Sequence, residues 1–533
     1  MSYKWLKKSL FITCATFLFV AIFAITSLAC TNILVGKDAS TDGSVFTSHT
    51  VDGRYDSRLR VIPAMDHEEG DMLDILLGHD LKMAERPDVV PKVIGQIPQV
   101  PHTYKYFESA YSLANEHQLF TAETTQGGAI ETRNDEEEAI MSIRMLARIA
   151  LQRTQTAREA IELMGELALE YGFAETAYLG ECLSIADPNE VWMFEIYGAG
   201  PFWTRDSDYP GAAWVARRVP DNHVSVNPNY SRFREIDPDD PDTMVSEGYI
   251  ELAIELEIYD PEVDGEFIWN EVYGNVRPGS DRLWRLYSLL KPSVEWKLEE
   301  THLYPFSIEP DEKLSVEDVI TLFRDENISS KLDVTEHENW YYEDSEGNLV
   351  KSPLASPQTR AVSRELFDLL GLDHVRHTGI SNCSSFWVGQ ARDWLPNEIG
   401  GVLWYGLNSP ANSPFIPLYL GADEIPESYM VLNRDRMDYN SAWWAYARVD
   451  DMVNRRYQEY KPRLHEELLD PMQEYWFTMQ DAVEGKALEL YENHGADSTK
   501  AFLTTYSKSQ MEWAEQSYWD YFDELYFSLT GGY

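Results

Sequence analysis

Basic residues are scarce in this chain: 44 lysines and arginines stand against 90 aspartates and glutamates, a formal net charge of -46. That excess repels phosphate backbones and anionic lipid surfaces, which argues against a nucleic-acid partner, and its plainest reading is a solvated surface. The sequence has no His-Glu-x-x-His, no Cys-x-x-Cys and no Gly-x-Ser-x-Gly. The zinc-peptidase helix, the paired-cysteine metal site and the serine elbow are therefore unsupported, and neither a metal nor another cofactor is expected. After residue 29 no apolar run approaches the roughly 20 residues that cross a bilayer, so no stable membrane insertion is expected of the body. Internal repeats and low-complexity linkers are absent as well.

What is present is a globular composition, 44% hydrophobic and 13% aromatic, in a chain long enough for one large core or two ordinary ones. Its first residues follow signal-peptide grammar: basic Lys4, Lys7 and Lys8, an apolar run from Leu10 to Ile25, then small residues ending Ser27-Leu28-Ala29. Ser27 and Ala29 place the expected cut at Ala29-Cys30. The expectation is an exported protein, secreted or periplasmic, that begins with cysteine. Cys14 would leave with the signal, so Cys30, Cys182 and Cys383 remain, an odd number. A Cys182–Cys383 bridge would leave Cys30 free, and two separate buried thiols would do so equally.

Along the chain, two β-prone runs flank Asp42-Gly43 and predict a hairpin whose first strand starts beside Cys30. Asn134 and the acids 135–138 predict a helix start, and a second helix is expected from Thr156 to Tyr171, stopped by Gly172. A hairpin around Asp187-Pro188-Asn189 follows, with strands near 212–219 and 223–226, then helices near 281–290, 316–324 and 360–370. Residues 380–420 read as strands again. The chain beyond Ser441 reads as helix, dense in Trp443, Trp444, Trp476, Trp513 and Trp519. This order is α+β. The expected organisation is a signal peptide at 1–29, a catalytic domain at 30–440 and a helical region at 441–533 packed on it. A role for those aromatic helices in a lid or a homo-oligomer interface stays open.

Cleavage before Cys30 would change its chemistry. A peptide nitrogen is not basic, whereas a free α-amine has a pKa of about 7.7–8.0 and can serve as base for its own thiol, whose ordinary pKa is about 8.5. Such a residue is nucleophile and base in one. A lipid-anchored cysteine is the competing outcome, but its recognition motif wants Leu or a similar residue where this chain has Ser27. A non-catalytic binding module with a blocked Cys30 is the alternative from another class.

The run from Cys30 to Ser44 (CTNILVGKDASTDGS) resembles the start of the dipeptidase family of N-terminal-nucleophile cysteine peptidases, peptidase family C69, which is related to the secernins and more distantly to penicillin V acylase and bile salt hydrolase. Further blocks resemble the same family in the same order: YSLANEHQ at 111–118 with AETT at 122–125, GECLSIADP at 180–188 with EVWMFE at 190–195, WVARRVPD at 214–221, and LPNEIG at 395–400 with VLW at 402–404. The resemblance implies an αββα sandwich of two antiparallel sheets covered by helices, and a metal-free amide hydrolase acting on short peptides. It implies Cys30 as nucleophile, Asp52 as an acid near it and Asn115 as an oxyanion-hole amide. It further implies Arg218 as a clamp for a substrate carboxylate and Asn229 as a second polar contact. Many family members carry Arg-Asn or Arg-Thr before the acid. This chain has His49-Thr50, a departure that bears on amine or substrate binding. An acylase cleaving N-acyl amides is the alternative within enzymes, since the same site would serve both.

Overall fold

A computed structural model describes residues 30–530 except 54, 83–88, 176–178, 275, 277, 359–363, 382 and 434. The expected signal peptide lies outside the described residues. Fifteen strands build two sheets: β1 (Asn32–Val35), β2 (Val45–Asp52), β3 (Arg60–Ile62), β4 (Tyr106–Glu108), β5 (Ser112–Asn115), β6 (Phe120–Gln126), β7 (Gly180–Ala186), β8 (Val191–Gly198), β9 (Ala212–Arg218), β10 (Val224–Asn227), β11 (Thr243–Val245), β12 (Ser307–Ile308), β13 (Cys383–Ala391), β14 (Val402–Leu407) and β15 (Ile416–Tyr419). One sheet runs β12-β10-β1-β2-β13-β14-β15, the other β11-β9-β8-β7-β6-β5-β4-β3, and their pairings are antiparallel.

The sheets stack face to face. Phe120 of β6 packs against Trp387 of β13 with ring centres 6.1 Å apart, and Gly389 leaves room for Phe120, since a Cβ there would come within 2.5 Å of the ring. The Thr47 and Ser184 hydroxyls join β2 to β7 at 2.5 Å. Outside the second sheet lie α1 (Ile143–Arg153) and α2 (Ala157–Tyr171), whose apolar faces share a core with Phe194 and Trp214. The α2 start is held by a reciprocal Thr156–Glu159 capping box and its end by Gly172 at φ +73°, as its sequence predicts. The α1 start is different: it lies at Ile143 with Ser142 as cap, and the 135–138 acids precede it as a turn. Asn134 does not cap a helix, because its amide is buried and donates to the Phe173 carbonyl at 2.7 Å.

The first sheet is covered by α4 (Ala442–Arg455), α5 (Asp470–His494) and α6 (Ala496–Leu529), while α3 (Asp281–Leu290) lies near β10 and the start of β1. Along α6 the buried positions 499, 503, 507, 511, 514, 518, 521 and 525 step by three or four, one continuous inward stripe. Trp404 meets Phe477 at 5.4 Å, and Glu484 receives Arg392 at 2.7 Å and the Tyr419 hydroxyl at 3.1 Å, tying α5 to the sheet. The two sheets between helical layers are the αββα sandwich expected. Trp476 is buried, whereas Trp513 is 41% exposed. Among the described residues no helix is long and apolar enough to cross a membrane.

Candidate active site

Cys30 stands two residues before β1, at a point where side chains reinforce the sparse β1–β2 pairing. Val35 pairs with Phe46 and the Thr50 N–H donates to the Thr31 carbonyl at 3.2 Å, while the Thr50 hydroxyl accepts from the Thr31 N–H at 3.0 Å and the Ser48 hydroxyl from the Ile33 N–H at 2.8 Å. On its other side β1 is zipped to β10 as far as Asn32 opposite Asn227. The cysteine is thus held between two strands yet leads neither ladder.

Arg282, in the first turn of α3, fixes this end of the strand. One Nη donates to the Cys30 carbonyl and to the Thr31 hydroxyl at 2.7 Å, and the other to the Pro228 carbonyl at 2.7 Å and to Asn229 Oδ1 at 2.9 Å. Asn229, at φ +72°, donates its amide to the Thr125 carbonyl at 2.7 Å, so this predicted residue enters the site as the partner of Arg282. Burial, then repulsion from Arg376, pulls the Arg282 guanidinium down to about 9.

Three acids surround the sulfur. Cys30 Sγ is 3.7 Å from Glu123 Oε2. Burial above all, then the charges of Glu123, Asp52 and Glu181, pushes the thiol well above its ordinary value, against the smaller help of the Asp52 backbone N–H. Asp52 is itself buried, accepting the Cys383 thiol at Oδ1 over 3.1 Å and the Arg376 guanidinium at Oδ2. His49 is 1% exposed, 3.8 Å from Glu123 Oε2 and edge-on to Tyr111 and Trp387. Burial holds its imidazole down at about 4, so it is neutral near pH 7. Cys30, His49 and Glu123 are the one group of candidate metal ligands among the described residues, with donor atoms all within 4.8 Å of one another.

Two predicted residues lie elsewhere. Asn115 donates its amide to the Leu151 and Thr154 carbonyls, both at 2.9 Å, and accepts from the His117 and Leu119 N–H groups. All four of its hydrogen-bonding capacities tie the β5–β6 turn to the end of α1, which leaves no amide for an oxyanion. Arg218 is gripped by Asp242 at 2.8 and 3.1 Å and by Asp221 at 2.6 Å, a structural ion pair that keeps it firmly charged and already occupied. Glu123, Arg282, Arg376 and Cys383 were missed. A signal existed for Arg282, a cation in step with Leu283, Leu286 and Leu290 on the inward face of a predicted helix. The three cysteines are free and buried, so Cys182 and Cys383 do not pair.

Residues 29–468 match the model of peptidase family C69. The "Probable dipeptidase" of Latilactobacillus sakei is 26% identical over 456 residues, 81% of this chain and 82% of that protein. "Probable dipeptidase B" of Streptococcus pyogenes serotype M1 is 24% identical, covering 85% and 84% of the two chains. Among solved structures, penicillin V acylase from Agrobacterium tumefaciens is similar at 12% identity and a TM-score of 0.29, over 74% of this chain and 87% of that one.

Proposed function

The chain belongs to peptidase family C69 and is a peptidase, and from that premise we propose that it is an exported dipeptidase whose nucleophile is Cys30, freed by cleavage at Ala29-Cys30. The observation that carries this reading is Cys30 Sγ 3.7 Å from the buried Glu123 carboxyl, with Asp52 and Glu181 near enough to act on the same sulfur. With a peptide bond on its nitrogen, Cys30 has the Arg282 guanidinium on its carbonyl, yet burial and these acids together hold its thiol protonated. Cleavage places an ammonium on the same residue. The carboxylates stabilise that cation, and the cation in turn favours the thiolate.

The thiolate attacks the substrate carbonyl, forming a C–S bond and an oxyanion. Collapse breaks the C–N bond as the Cys30 ammonium gives its proton to the leaving amine. The amine then takes a proton from water, whose oxygen attacks the thioester; collapse releases the acid and returns the Cys30 thiolate beside its ammonium. Carboxyl groups beside the nucleophile suit the ammonium end of a short peptide better than an apolar acyl chain. Intact mass of the secreted protein, with a dipeptide and acyl-amide panel, tests the reading. It requires an unmodified N-terminal cysteine and hydrolysis of dipeptides; a lipid-modified or blocked amine defeats it.

A further inference from the structure

A buried imidazole lies beside the nucleophile with a nitrogen that has no hydrogen bond among the described residues. His49 Nε2 has no hydrogen-bond partner, although it lies 3.8 Å from the same Glu123 oxygen that sits 3.7 Å from Cys30 Sγ. Two aromatic edges, Tyr111 and Trp387, fix the ring in that direction. Thiolate, imidazole and carboxylate are the ligand types that zinc takes, and a tetrahedral ion sets such atoms roughly 3.3–3.6 Å apart. The three atoms here already lie within 4.8 Å of one another, so closing on an ion asks for movements of about an ångström or less.

We propose that the mature enzyme binds one thiophilic divalent cation, zinc foremost, on Cys30 Sγ, His49 Nε2 and the Glu123 carboxylate, and that the ion holds the peptidase in a reversible inactive state. The inference rests on the nucleophile reading above, because cleavage supplies the fourth donor, the Cys30 amine, which closes a five-membered ring with its own sulfur. On binding, the ammonium gives its proton to solvent, and the thiolate and amine lone pairs that serve catalysis are taken up in metal bonds. The pairing of thiolate with imidazole selects zinc over magnesium or calcium. The ion is an inhibitor and a guard of the thiol against oxidation, and chelation restores the free nucleophile.

The processed, chelator-stripped protein is titrated with cobalt(II) alone and then with zinc. One cobalt per chain is expected, with a sulfur-to-cobalt charge-transfer band, displacement by zinc, and activity that falls with occupancy and returns on chelation. His49→Gln and Glu123→Gln are each expected to weaken zinc at least ten-fold against a chromophoric chelator. X-ray absorption of the zinc-loaded parent needs no variant and is expected to show one sulfur with nitrogen and oxygen neighbours. A zinc shell without sulfur, or variants that bind as tightly as the parent, overturns the proposal. If Cys30→Ala is inactive while the parent lacks sulfur-bound zinc, only the metal proposal falls; if Cys30→Ala keeps its activity, the nucleophile reading falls.

Discussion

Two buried cysteine–glutamate neighbourhoods use the same ingredients to different ends. Cys182 faces Glu195 across the β7–β8 ladder. Glu195 accepts the Ser231 hydroxyl at 2.5 Å, the Arg232 N–H at 2.7 Å and the Trp269 indole at 3.1 Å. Burial raises its pKa, but its oxygens are enclosed by donors. Cys30 and Glu123 instead meet from different sheets, with a long sulfur contact and with His49 unsatisfied beside them. Closed hydrogen bonding marks scaffolding, whereas the unpartnered His49 nitrogen beside the long sulfur contact marks a place where a substrate or an ion can complete the set, although Glu123 itself also accepts the Thr125 hydroxyl at 2.5 Å.

The comparison can be broken most severely at Arg282. Arg282→Met strands the acceptors that hold Cys30 and Pro228, and a loss of about 4 kcal/mol in urea unfolding is expected, with activity falling too. Next comes acid. The unfolded His49 takes a proton at the ordinary 6.5 and the folded one only at about 4, so stability is intact above pH 6.5 and declines as pH falls towards 4. The drop from this residue is up to roughly 3 kcal/mol. His377, held equally low, adds its own slope. Urea midpoints across that range should decline less steeply in His49→Phe, and an unchanged slope would contradict a buried neutral imidazole.

Asp52→Asn sharpens the contrast from the catalytic side. A fall in kcat of about 100-fold is expected, because an acid acting on the Cys30 sulfur is lost. Glu195→Gln is expected to cost about 1–2 kcal/mol of stability while kcat stays within a few-fold. Paired kinetics and unfolding on the two variants check that division. Smallest of all, Arg218→Met should cost about 1 kcal/mol or less, since its ion pair is partly exposed, and KM for dipeptides should not move; a large rise in KM would restore its role as a clamp.

The strand at β1, the Thr156 cap, the hairpin at Asp187 and the α3 boundaries were legible because local chemistry decides them. Asn134 misled because a cap residue and a buried amide look alike in one dimension. Asp52 and His49 were visible from their nearness to Cys30 and from the resemblance. Arg282 was hidden by 252 residues of intervening chain, and Arg376 is brought to Asp52 from 324 residues away. Asn115 shares a recognisable block with Tyr111, which packs on His49, and Arg218 sits in another block of the same family, yet their partners are a helix end and two aspartates. A shared block reports that a residue matters, and only its hydrogen bonds say whether to the fold or to the reaction.

The most direct measurement takes Cys30→Ala and Cys182→Ala in protein beginning at residue 30, assayed on one dipeptide under saturating conditions. The account predicts that Cys30→Ala loses activity by about 1000-fold or more while its melting temperature holds, and that Cys182→Ala stays active with a lowered melting temperature. Full activity in the Cys30→Ala protein would contradict it.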